Sequence, residues 1–456
     1  MNIKDDFILK EINEGYLVGG SIRDFLLGKN FIDRDIAIFN AENYAKKIAE
    51  KFDATLVVLD EENKIYRVVF SDKINFLDIS EIHGKSIEED LLRRDFTINA
   101  IAYDLQNGNY IDTTGGIKDL NGKILRHIKD SNFEDDPLRI LRAFRFKAIT
   151  GFEFSEELKS AIKKYSSLVL KPSPERINYE LMKLFGGEYT SDTLYLMDEY
   201  QILDILFPFV KELKKIPPNT HHHLDLFHHS IETVRNIQDQ YMQSDVIKKH
   251  LDKIDFGGFE RINHLKLAGF MHDIGKFSTW TIEEDTGRHR FIKHDDIGAK
   301  LSIGFLKNLK FSKKQIGYIS EMIKFHIYPS SVVSAPELTE KIMMRYLRKM
   351  SENVIDNIIL AKSDRLSAQG EAITEEILNN NLNSLNLLLT FYLEKKDTLK
   401  PLPKLLDGFE IMQILNLTPS PRLGEIIDEL KEAQINGDVI TKDDAVNFIK
   451  EYKFKN

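Results

Sequence analysis

Residues 18–40 read VGGSIRDFLLGKNFIDRDIAIFN, and this stretch decides how the N-terminal part of the chain is expected to fold. Its pattern predicts a strand that ends in a glycine pair, a short helix, and a second strand within IDRDIAIF. Asp33 and Asp35 share one side of that second strand, because successive side chains of a strand point to opposite faces. Two carboxylates placed in this way can share divalent metal ions. Taken alone, the aspartate pair is equally compatible with a surface strand beside a tight turn.

The glycine pair adds a feature that can bind phosphate. In VGGSIRD, Gly19 and Gly20 join a strand to the first turn of a helix, so backbone N–H groups can meet phosphate oxygens, with Arg23 nearby. A later strand, INFLDIS, carries Asp78 in an otherwise apolar run, where an unpaired buried carboxylate would be costly. Asp78 is therefore a candidate third metal ligand. Glycines that cradle phosphate beside metal-binding carboxylates indicate phosphoryl or nucleotidyl transfer.

Composition limits the class of protein. The chain has 456 residues, of which 42% are hydrophobic and 30% charged, which is typical of a globular protein with two to four domains. No run of eighteen apolar residues occurs and the first residues are charged, so we expect a cytoplasmic protein without a membrane partner. Cysteine is absent, so any metal must be held by His, Asp or Glu. The formal charge of −9 argues against general affinity for nucleic acid but allows a local basic face.

The secondary structure predicted from the sequence pattern changes along the chain. Residues 16–112 alternate β-rich runs with helical patterns, which predicts an α/β unit. From about residue 132 nearly all patterns are helical, with a linker expected at KELKKIPPNT and a charged final segment from about residue 375. The predicted organisation is an α/β head followed by three helical sections.

Five ordered motifs in the first 190 residues resemble those of class II tRNA nucleotidyltransferases, the CCA-adding enzymes and their poly(A) polymerase relatives. The matching segments are GGSIRD with DRD, RRDFTINAIAYD at 93–104, DTTGG at 112–116, DDPLRILRAFRF at 135–146 and ERINYE at 175–180. The resemblance implies that CCA is added to tRNA 3′ ends from CTP and ATP by two-metal nucleotidyl transfer. Asp33 and Asp35 would hold Mg²⁺, with Asp78 as the third catalytic carboxylate.

The resemblance also assigns contacts to the incoming nucleotide. Arg94 and Asp95 would meet its ribose and phosphates, with Asn99 close by. The alternative for this dense charge cluster is a solvated face before a buried strand. The nucleotide-binding candidates are Gly19, Gly20, Arg23, Arg94, Asp95, Asn99, Asp136, Arg139, Arg142 and Arg145.

The motif DDPLR would read the base. The resemblance places the base-reading pair on Asp136 and Arg139, where a carboxylate accepts from an exocyclic amine and a guanidinium donates to ring and carbonyl acceptors. The family usually has Glu-Asp at the head of this motif, whereas this chain has Asp135 and Asp136. Arg142 and Arg145 continue at spacings of three, and they either contact nucleotide or RNA backbone or form a solvated face.

The segment between Asp78 and Arg93 departs from the CCA-adding pattern. Many CCA-adding relatives carry an extended flexible loop there, implied to help the pocket change from cytidine to adenosine, whereas this chain has only ISEIHGKSIEEDLL. Relatives that add only the two cytidines lack the long loop. Complete CCA addition remains the prediction from the five motifs, and the short segment makes CC addition alone the alternative.

A second cluster of histidines and aspartates lies between about residues 220 and 370. Its segment HDIGK resembles the signature of HD-domain metal phosphohydrolases, which are implied to hydrolyse phosphomonoesters and cyclic phosphates. A divalent transition metal or Mg²⁺ would suit the imidazole and carboxylate donors. His221, His222 and His223 are expected at the surface. The resemblance implies a metal set of His229, His272, Asp273 and Asp364, with His294 and His326 as accessory groups.

Together the two resemblances imply an α/β nucleotidyltransferase head followed by all-α neck, HD and tail domains. The expected bounds are 1–130 for the head, 131–215 for a neck that binds base and RNA, 216–374 for the HD domain and 375–456 for the tail. The resemblance implies that the tail grips tRNA, and its own residues are equally compatible with a packing or oligomerisation role. Three alternatives to CCA addition are CC addition alone, a poly(A) polymerase, and a metal phosphohydrolase whose head merely binds RNA. The sequence leaves the oligomeric state open.

Overall fold

The computed structural model describes residues 3–29, 34–220, 223–397, 399 and 402–452, and the chain divides into two compact units, Met1–Pro208 and Phe209–Asn456. The first unit begins with a seven-stranded sheet in the order β3-β4-β5-β2-β1-β6-β7. Strands β2 and β5 run parallel, and the other neighbouring strands run antiparallel. The strands are β1 Tyr16–Val18, β2 Asp35–Ile38, β3 Thr55–Asp60, β4 Ile65–Val69, β5 Phe76–Glu81, β6 Ala102–Asp104 and β7 Tyr110–Ile111.

Helices of the head cover this sheet. Alternation along the strands buries Leu17, Ile36, Val68 and Ile79 in one core. The second helix buries its apolar positions at spacings of three and four, so it packs one face on the same core. The helices are α1 Gly20–Leu26, α2 Ala41–Lys51, α3 Ile87–Leu91 and α4 Gly116–Asn121.

The remainder of the first unit is helical apart from one short parallel strand pair. Helix α6 packs against both α8 and α9. The elements are β8 Ile124–Leu125, α5 Ser131–Asp135, α6 Leu138–Thr150, β9 Glu153–Phe154, α7 Glu156–Tyr165, α8 Pro174–Phe185, α9 Thr190–Glu199 and α10 Ile202–Leu206.

The second unit is helical apart from two small hairpins. Helix α12 packs against α14 and α20, and α17 packs against α14 and α16. The hairpins, β10 with β11 and β12 with β13, are departures from the nearly all-helical pattern. The elements are α11 Val210–Leu213, α12 Leu226–Gln243, α13 Asp245–Leu251, β10 Ile254–Phe256, β11 Phe259–Glu260, α14 Arg261–Met271, α15 Lys276–Thr279, β12 Trp280–Ile282, β13 His289–Phe291, α16 His294–Asn308, α17 Lys313–Phe325, α18 Tyr328–Val333, α19 Glu340–Met350, α20 Val354–Ser367, α21 Glu375–Lys395, α22 Gly408–Leu415, α23 Pro421–Asn436 and α24 Lys442–Glu451.

The last three helices share a small apolar core of their own. Ile411, Ile426, Leu430 and Ile449 are buried together within it. Among the described residues, no helix is both long enough and apolar enough to cross a membrane. The predicted fold class, an α/β head followed by helical sections, is confirmed.

Candidate nucleotide site and candidate metal centre

The predicted strand–glycine–helix turn is present at the edge of the candidate site. Strand β1 ends at Val18, Gly19 adopts a φ of +69°, and α1 begins at Gly20. A Cβ at Gly19 would lie 3.2 Å from an Arg94 guanidinium nitrogen and 3.5 Å from an Asp35 carboxylate oxygen. The backbone conformation and the close neighbours together explain why glycine stands at this position.

The carboxylates of the head come from two paired strands. Asp35 opens β2 and stands in register with Asp78 on the parallel strand β5, so the two side chains share one face of the sheet. The predicted ligand Asp33 lies outside the described residues. The carboxylate of Asp78 accepts two hydrogen bonds from Arg67 on β4, at 2.7 and 2.8 Å. The sequence carried no sign of Arg67, because this contact depends on the register of β4 against β5.

A cavity of about 1030 Å³ joins most of the predicted nucleotide contacts. Asp35 lines it, and Asp78 is not among the residues that do. Carboxylate oxygens are the donors that Mg²⁺ prefers, so the donor set suits this ion. The predicted residues that line the cavity are Gly19, Gly20, Arg23, Asp35, Arg94, Asp95, Asn99, Asp136, Arg139, Arg142 and Arg145.

Asp95 forms a buried ion pair at the wall of this cavity. It is 7% exposed and accepts hydrogen bonds from Arg142 at 2.8 and 2.5 Å and from the Asn99 amide at 2.9 Å. Burial alone would raise the pKa of Asp95, but the charge of Arg142 and these hydrogen bonds outweigh burial and lower the pKa to about 2. Arg23 in turn donates to the Asn99 side chain at 2.9 Å. These contacts hold the cationic groups of the predicted motifs in fixed positions.

Glu180 of the ERINYE segment extends this network into the protein. It is 2% exposed, and it lies 3.5 Å from Arg142 and 3.2 Å from Arg145. Arg145 is itself only 7% exposed. A solvated face was the alternative for the arginines of α6, and for Arg145 that alternative is wrong, because a buried carboxylate lies beside it.

The predicted base-reading pair is held by groups on α8, on α5 and in the turn after α3. Asp136 accepts a hydrogen bond from Arg176 of α8 at 2.8 Å. Arg139 donates to the backbone carbonyl oxygens of Asn132 at 3.1 Å and Arg93 at 2.9 Å. Both side chains line the cavity. Sequence reasoning assigned no role to Arg176, although the motif that contains it was part of the resemblance.

The connection from β5 to α3 is short and is held by hydrogen bonds to α3. It comprises residues 82–86, and two of its backbone N–H groups donate to acidic side chains of α3. His83 donates to Asp90 at 3.1 Å, and Lys85 donates to Glu89 at 2.8 Å. The long loop of many CCA-adding relatives therefore has no counterpart here.

The six metal-ligand candidates of the second unit converge at one place. Nε2 of His229 lies 3.3 Å from Nε2 of His272 and 3.0 Å from an Asp364 carboxylate oxygen. Nε2 of His272 lies 3.2 Å from Oδ2 of Asp273. His229, His272 and Asp364 thus form a set of donor atoms that a single cation can join.

The accessory histidines approach the other oxygen of the same aspartate. Oδ1 of Asp273 lies 3.5 Å from Nε2 of His294 and 3.6 Å from Nε2 of His326, and these two nitrogens are 3.2 Å apart. Asp273 is fully buried, and within the described ranges its Oδ1 receives no hydrogen bond. Lys276, which sequence reasoning left out of the site, makes an ion pair with Oδ2 at 2.6 Å. Asp273 therefore stands between two groups of imidazoles.

The outer nitrogens of all four imidazoles face backbone carbonyl groups. A protonated Nδ1 donates to such an oxygen and leaves the Nε2 lone pair directed at the cluster, which is how metal-binding histidines are commonly oriented. The carbonyl oxygens belong to Ser367, Gly269, Phe291 and Ile323 for His229, His272, His294 and His326, at 3.3, 2.7, 2.8 and 2.7 Å.

The charges of the cluster also suit a divalent cation. Burial lowers the pKa of His272, but the charges of Asp273 and Asp364 outweigh it and raise the pKa to about 10. Burial, followed by the neighbouring imidazoles His272 and His294, lowers the pKa of His326 to about 3. Carboxylates that attract positive charge and an imidazole that stays neutral are the donors that a divalent cation requires.

Close packing brings the helix ends of this centre together. A Cβ at Gly275 would overlap the carbonyl oxygen of His294, so glycine lets the start of α16 lie directly on the loop after Asp273. His223 is exposed, as expected, and its Nδ1 accepts from the Gln369 N–H at 3.3 Å. His221 and His222 lie outside the described residues.

Comparison with known families divides the chain into three matched parts. Residues 15–126 match the poly A polymerase head domain, and residues 151–214 match the probable RNA and SrmB-binding site of polymerase A. Residues 226–369 match the HD domain.

Several known proteins resemble the chain over much of its length. An A-adding tRNA nucleotidyltransferase of Deinococcus radiodurans is 29% identical, with 96% of this chain and 95% of the relative covered. A CC-adding tRNA nucleotidyltransferase of Thermus thermophilus is 27% identical, with 97% and 95% covered. A multifunctional CCA protein of Stenotrophomonas maltophilia is 31% identical, with 62% and 68% covered.

Among solved structures, a CCA-adding enzyme in complex with CTP has a similar fold. Its TM-score is 0.57 at 19% identity, with 98% of this chain and 95% of that chain covered. The α/β head and the helical sections that follow thus recur together in a known protein.

Proposed function

The chain belongs to the tRNA nucleotidyltransferase family, and from this premise we propose that it adds CCA to tRNA 3′ ends from CTP and ATP. One observation carries the proposal: a single cavity joins the Gly19–Gly20 turn and Asp35 to the base-reading pair Asp136 and Arg139. Phosphate, reacting oxygen and base can therefore be held at one time within about 1030 Å³.

Nucleotidyl transfer forms one bond and breaks another. The terminal hydroxyl of the RNA attacks the α-phosphorus of the nucleotide, the bond to the β-phosphate breaks, and pyrophosphate leaves. Asp35, together with Asp33, would hold Mg²⁺, which when bound neutralises charge on the attacking and leaving oxygens. The glycine turn and Arg23 would bind the phosphates, while Arg142 keeps Asp95 ionised at the cavity wall.

Asp78 is proposed as the third catalytic carboxylate on condition that its contact with Arg67 opens. Asp78 stands beside Asp35 in the sheet, but Arg67 occupies both of its oxygens. Asp78 would therefore bind metal only after this bidentate contact opens.

CC addition alone is the second candidate, and the short connection at residues 82–86 favours it. Two acidic side chains of α3 hold this connection, so little chain is free to reshape the pocket after two cytidines. The names of the relatives from Thermus thermophilus and Deinococcus radiodurans describe enzymes that perform CC or A addition separately.

The His/Asp centre of the second unit has a separate proposed activity. Four imidazoles and two carboxylates would hold a divalent transition metal or Mg²⁺, which when bound activates water. Hydrolysis of a phosphomonoester or cyclic phosphate joins the water oxygen to phosphorus and breaks one ester bond. The proposed division into head, neck, HD and tail at residues 130, 215 and 374 separates the two centres.

Single-nucleotide addition tests the assignment. Purified protein is given tRNA that ends at the discriminator base, in C or in CC, with CTP and ATP supplied singly and together. Incorporation of two cytidines and then adenosine supports CCA addition, whereas incorporation that stops after CC supports the second candidate. Addition of long adenosine tracts to unrelated RNA would favour a poly(A) polymerase, and phosphate release without any incorporation would favour a phosphohydrolase.

A further inference from the structure

A basic surface of the second unit takes no part in either centre. Between Asp296 and Glu321 the chain carries five lysines and no acidic residue, although its formal net charge is −9. All five lysines are exposed, and within the described part of the chain none forms an ion pair or hydrogen bond through its side chain. We call this surface the α16–α17 lysine face and define it by Lys300, Lys307, Lys310, Lys313 and Lys314.

The helix pair brings these side chains to one end of a hairpin. Lys300 and Lys307 are seven residues apart on α16, so they share one face of the helix. Lys310 lies in the short turn, and its N–H donates to the carbonyl of Lys307 at 3.0 Å. Lys313 then begins α17, which packs against α16. Positive charge is therefore concentrated along α16 and around the turn.

The two lysines that begin α17 and the glycines within both helices oppose helix stability. Lys313 and Lys314 lie in the first turn of α17, where the helix dipole already places positive charge, and that turn has no acidic residue. Helices α7, α21 and α24 of the same chain each carry two acidic residues in the first turn. Gly304 and Gly317 lie exposed within α16 and α17, where glycine is unfavourable, and a Cβ at either position would meet open space. Neither packing nor helix stability explains the two lysines that begin α17 or the two glycines.

We infer that the α16–α17 lysine face binds the phosphodiester backbone of the RNA substrate. Lys300 and Lys307 are separated by about 10 Å along the helix axis, which matches the rise over about three phosphates of one strand. Lysine is a point charge that contacts phosphate without reading sequence. The missing side chains at Gly304 and Gly317 let the backbone approach the helices closely.

A polyanionic partner fits this face better than a membrane surface. Leu301, at 39% exposed, is the only large hydrophobic side chain among residues 297–320 with substantial exposure. A membrane-binding helix requires a broad apolar face. Lys307 lies thirteen residues beyond His294, or about 20 Å along α16, so this face is also distant from the His/Asp centre.

The inference rests on tRNA as the substrate and is tested by a charge-neutralising triple variant. Lys307→Gln, Lys310→Gln and Lys313→Gln are combined in the full chain. The matched control combines Lys248→Gln, Lys249→Gln and Lys253→Gln, which are exposed lysines of the same unit that lie among acidic residues. Thermal unfolding verifies that both variants fold. If the triple variant does not fold, a double variant, Lys300→Gln with Lys307→Gln, replaces it, because both lysines lie on the exposed side of α16.

Binding of tRNA is measured at several salt concentrations, together with the KM values for tRNA and CTP. We expect the triple variant to bind tRNA about tenfold more weakly at 0.1 M salt. The slope of log Kd against the logarithm of the salt concentration should decrease by about two to three. The KM for tRNA should rise, while the KM for CTP and kcat at saturating tRNA stay unchanged.

Three results would overturn the inference. These are an unchanged salt slope, an equal loss in the control variant, or weaker binding of anionic phosphatidylserine vesicles with unchanged binding of tRNA. Failure of the proposed function gives a different result, because the unaltered protein would then bind tRNA without extending it. The salt titration would still decide whether the lysine face contacts tRNA.

Discussion

Asp35 and Asp78 stand directly opposite each other on the parallel strands β2 and β5, and Asp35 lines the cavity, whereas each carboxylate oxygen of Asp78 accepts a hydrogen bond from Arg67. Asp78 would have to release Arg67 before it could bind a cation, while Asp35 already lines the cavity. This difference leads to separate predictions for the two residues.

Asp35→Asn should remove nucleotide addition while the protein stays folded. Loss of a metal ligand that stabilises transferred charge should lower kcat at least about a hundredfold. The carboxylate is partly exposed, so the free energy of unfolding should change by no more than about 0.5 kcal/mol. Incorporation of CTP into tRNA and urea unfolding measure the two effects. Glu50→Gln on the exposed side of α2 is the control, and addition at a near-normal rate in Asp35→Asn would reject the assigned site.

Arg67→Met should lower the Mg²⁺ concentration required for half-maximal nucleotide addition, because it frees the Asp78 carboxylate. Asp78→Asn should raise that concentration severalfold. Titration of Mg²⁺ at fixed CTP and tRNA measures both effects. If Arg67→Met and Asp78→Asn raise the requirement equally and the double variant is no worse, the pair is structural and Asp78 is not a ligand.

The clustering of motif residues could be predicted because the ordered motifs resemble those of known families. Six His and Asp residues spread from 229 to 364 meet in one centre, and eleven predicted residues of the first unit line one cavity. The partners that orient them could not be predicted. Arg67 reaches Asp78 through strand register, and Arg176 reaches Asp136 across forty residues of chain. Such contacts arise from tertiary packing, and no local periodicity encodes them.

Burial was the other property that sequence patterns left open. The spacing of Arg142 and Arg145 was compatible with both a solvated face and a binding face. The choice depends on Glu180, which α8 places beside α6. For the α16–α17 lysine face, the spacing of the lysines can be read from the sequence. That these lysines have no acidic partners among the described residues could be seen only in the structure.

The ion pair between Asp95 and Arg142 should make stability depend on pH in the acid range. The pKa of Asp95 is lowered from 3.8 to about 2, so its contribution is fully present above pH 3.8 and is lost as pH falls toward 2. The shift corresponds to about 2 kcal/mol. Urea unfolding of the protein and of Asp95→Asn should therefore differ most at neutral pH, and the difference should shrink by about that amount near pH 2. A difference that does not change with pH would show that Asp95 has a normal pKa.

The variant His272→Ala with Asp273→Ala should lose metal binding in the second unit and keep nucleotide addition. Mn²⁺ at about a hundred times its Kd should stabilise the unaltered protein by about 2.7 kcal/mol, and this gain should vanish in the double variant. Metal content, thermal unfolding with and without Mn²⁺, and hydrolysis of a phosphomonoester measure the outcome. His289→Ala, on the nearby hairpin but outside the six-residue set, is the control. Full hydrolase activity in the double variant would show that the proposed metal set is wrong.

Base selection should depend on how Arg139 is held. Its guanidinium donates to the carbonyl oxygens of Asn132 and Arg93, and Arg176 donates to its neighbour Asp136, so both base-reading groups are fixed before a nucleotide binds. Arg139→Ala leaves acceptors of the correct base unpaired, which should cost about 1–3 kcal/mol, or roughly fivefold to 150-fold in kcat/KM.

Arg176→Met should act more mildly on the same property, because it frees Asp136 to turn without removing it. We expect incorporation of CTP to fall less than in Arg139→Ala and incorporation of UTP to rise relative to CTP. Single-nucleotide kinetics with CTP, ATP and UTP on tRNA ending at the discriminator base and in CC measure both variants. Lys183→Met, which removes another cation from the cavity lining, is the control. If Arg139→Ala leaves the ratio of CTP to UTP incorporation unchanged, the groups that read the base lie elsewhere in the cavity, because a hydrogen-bonding group that discriminates between bases cannot be removed without changing that ratio.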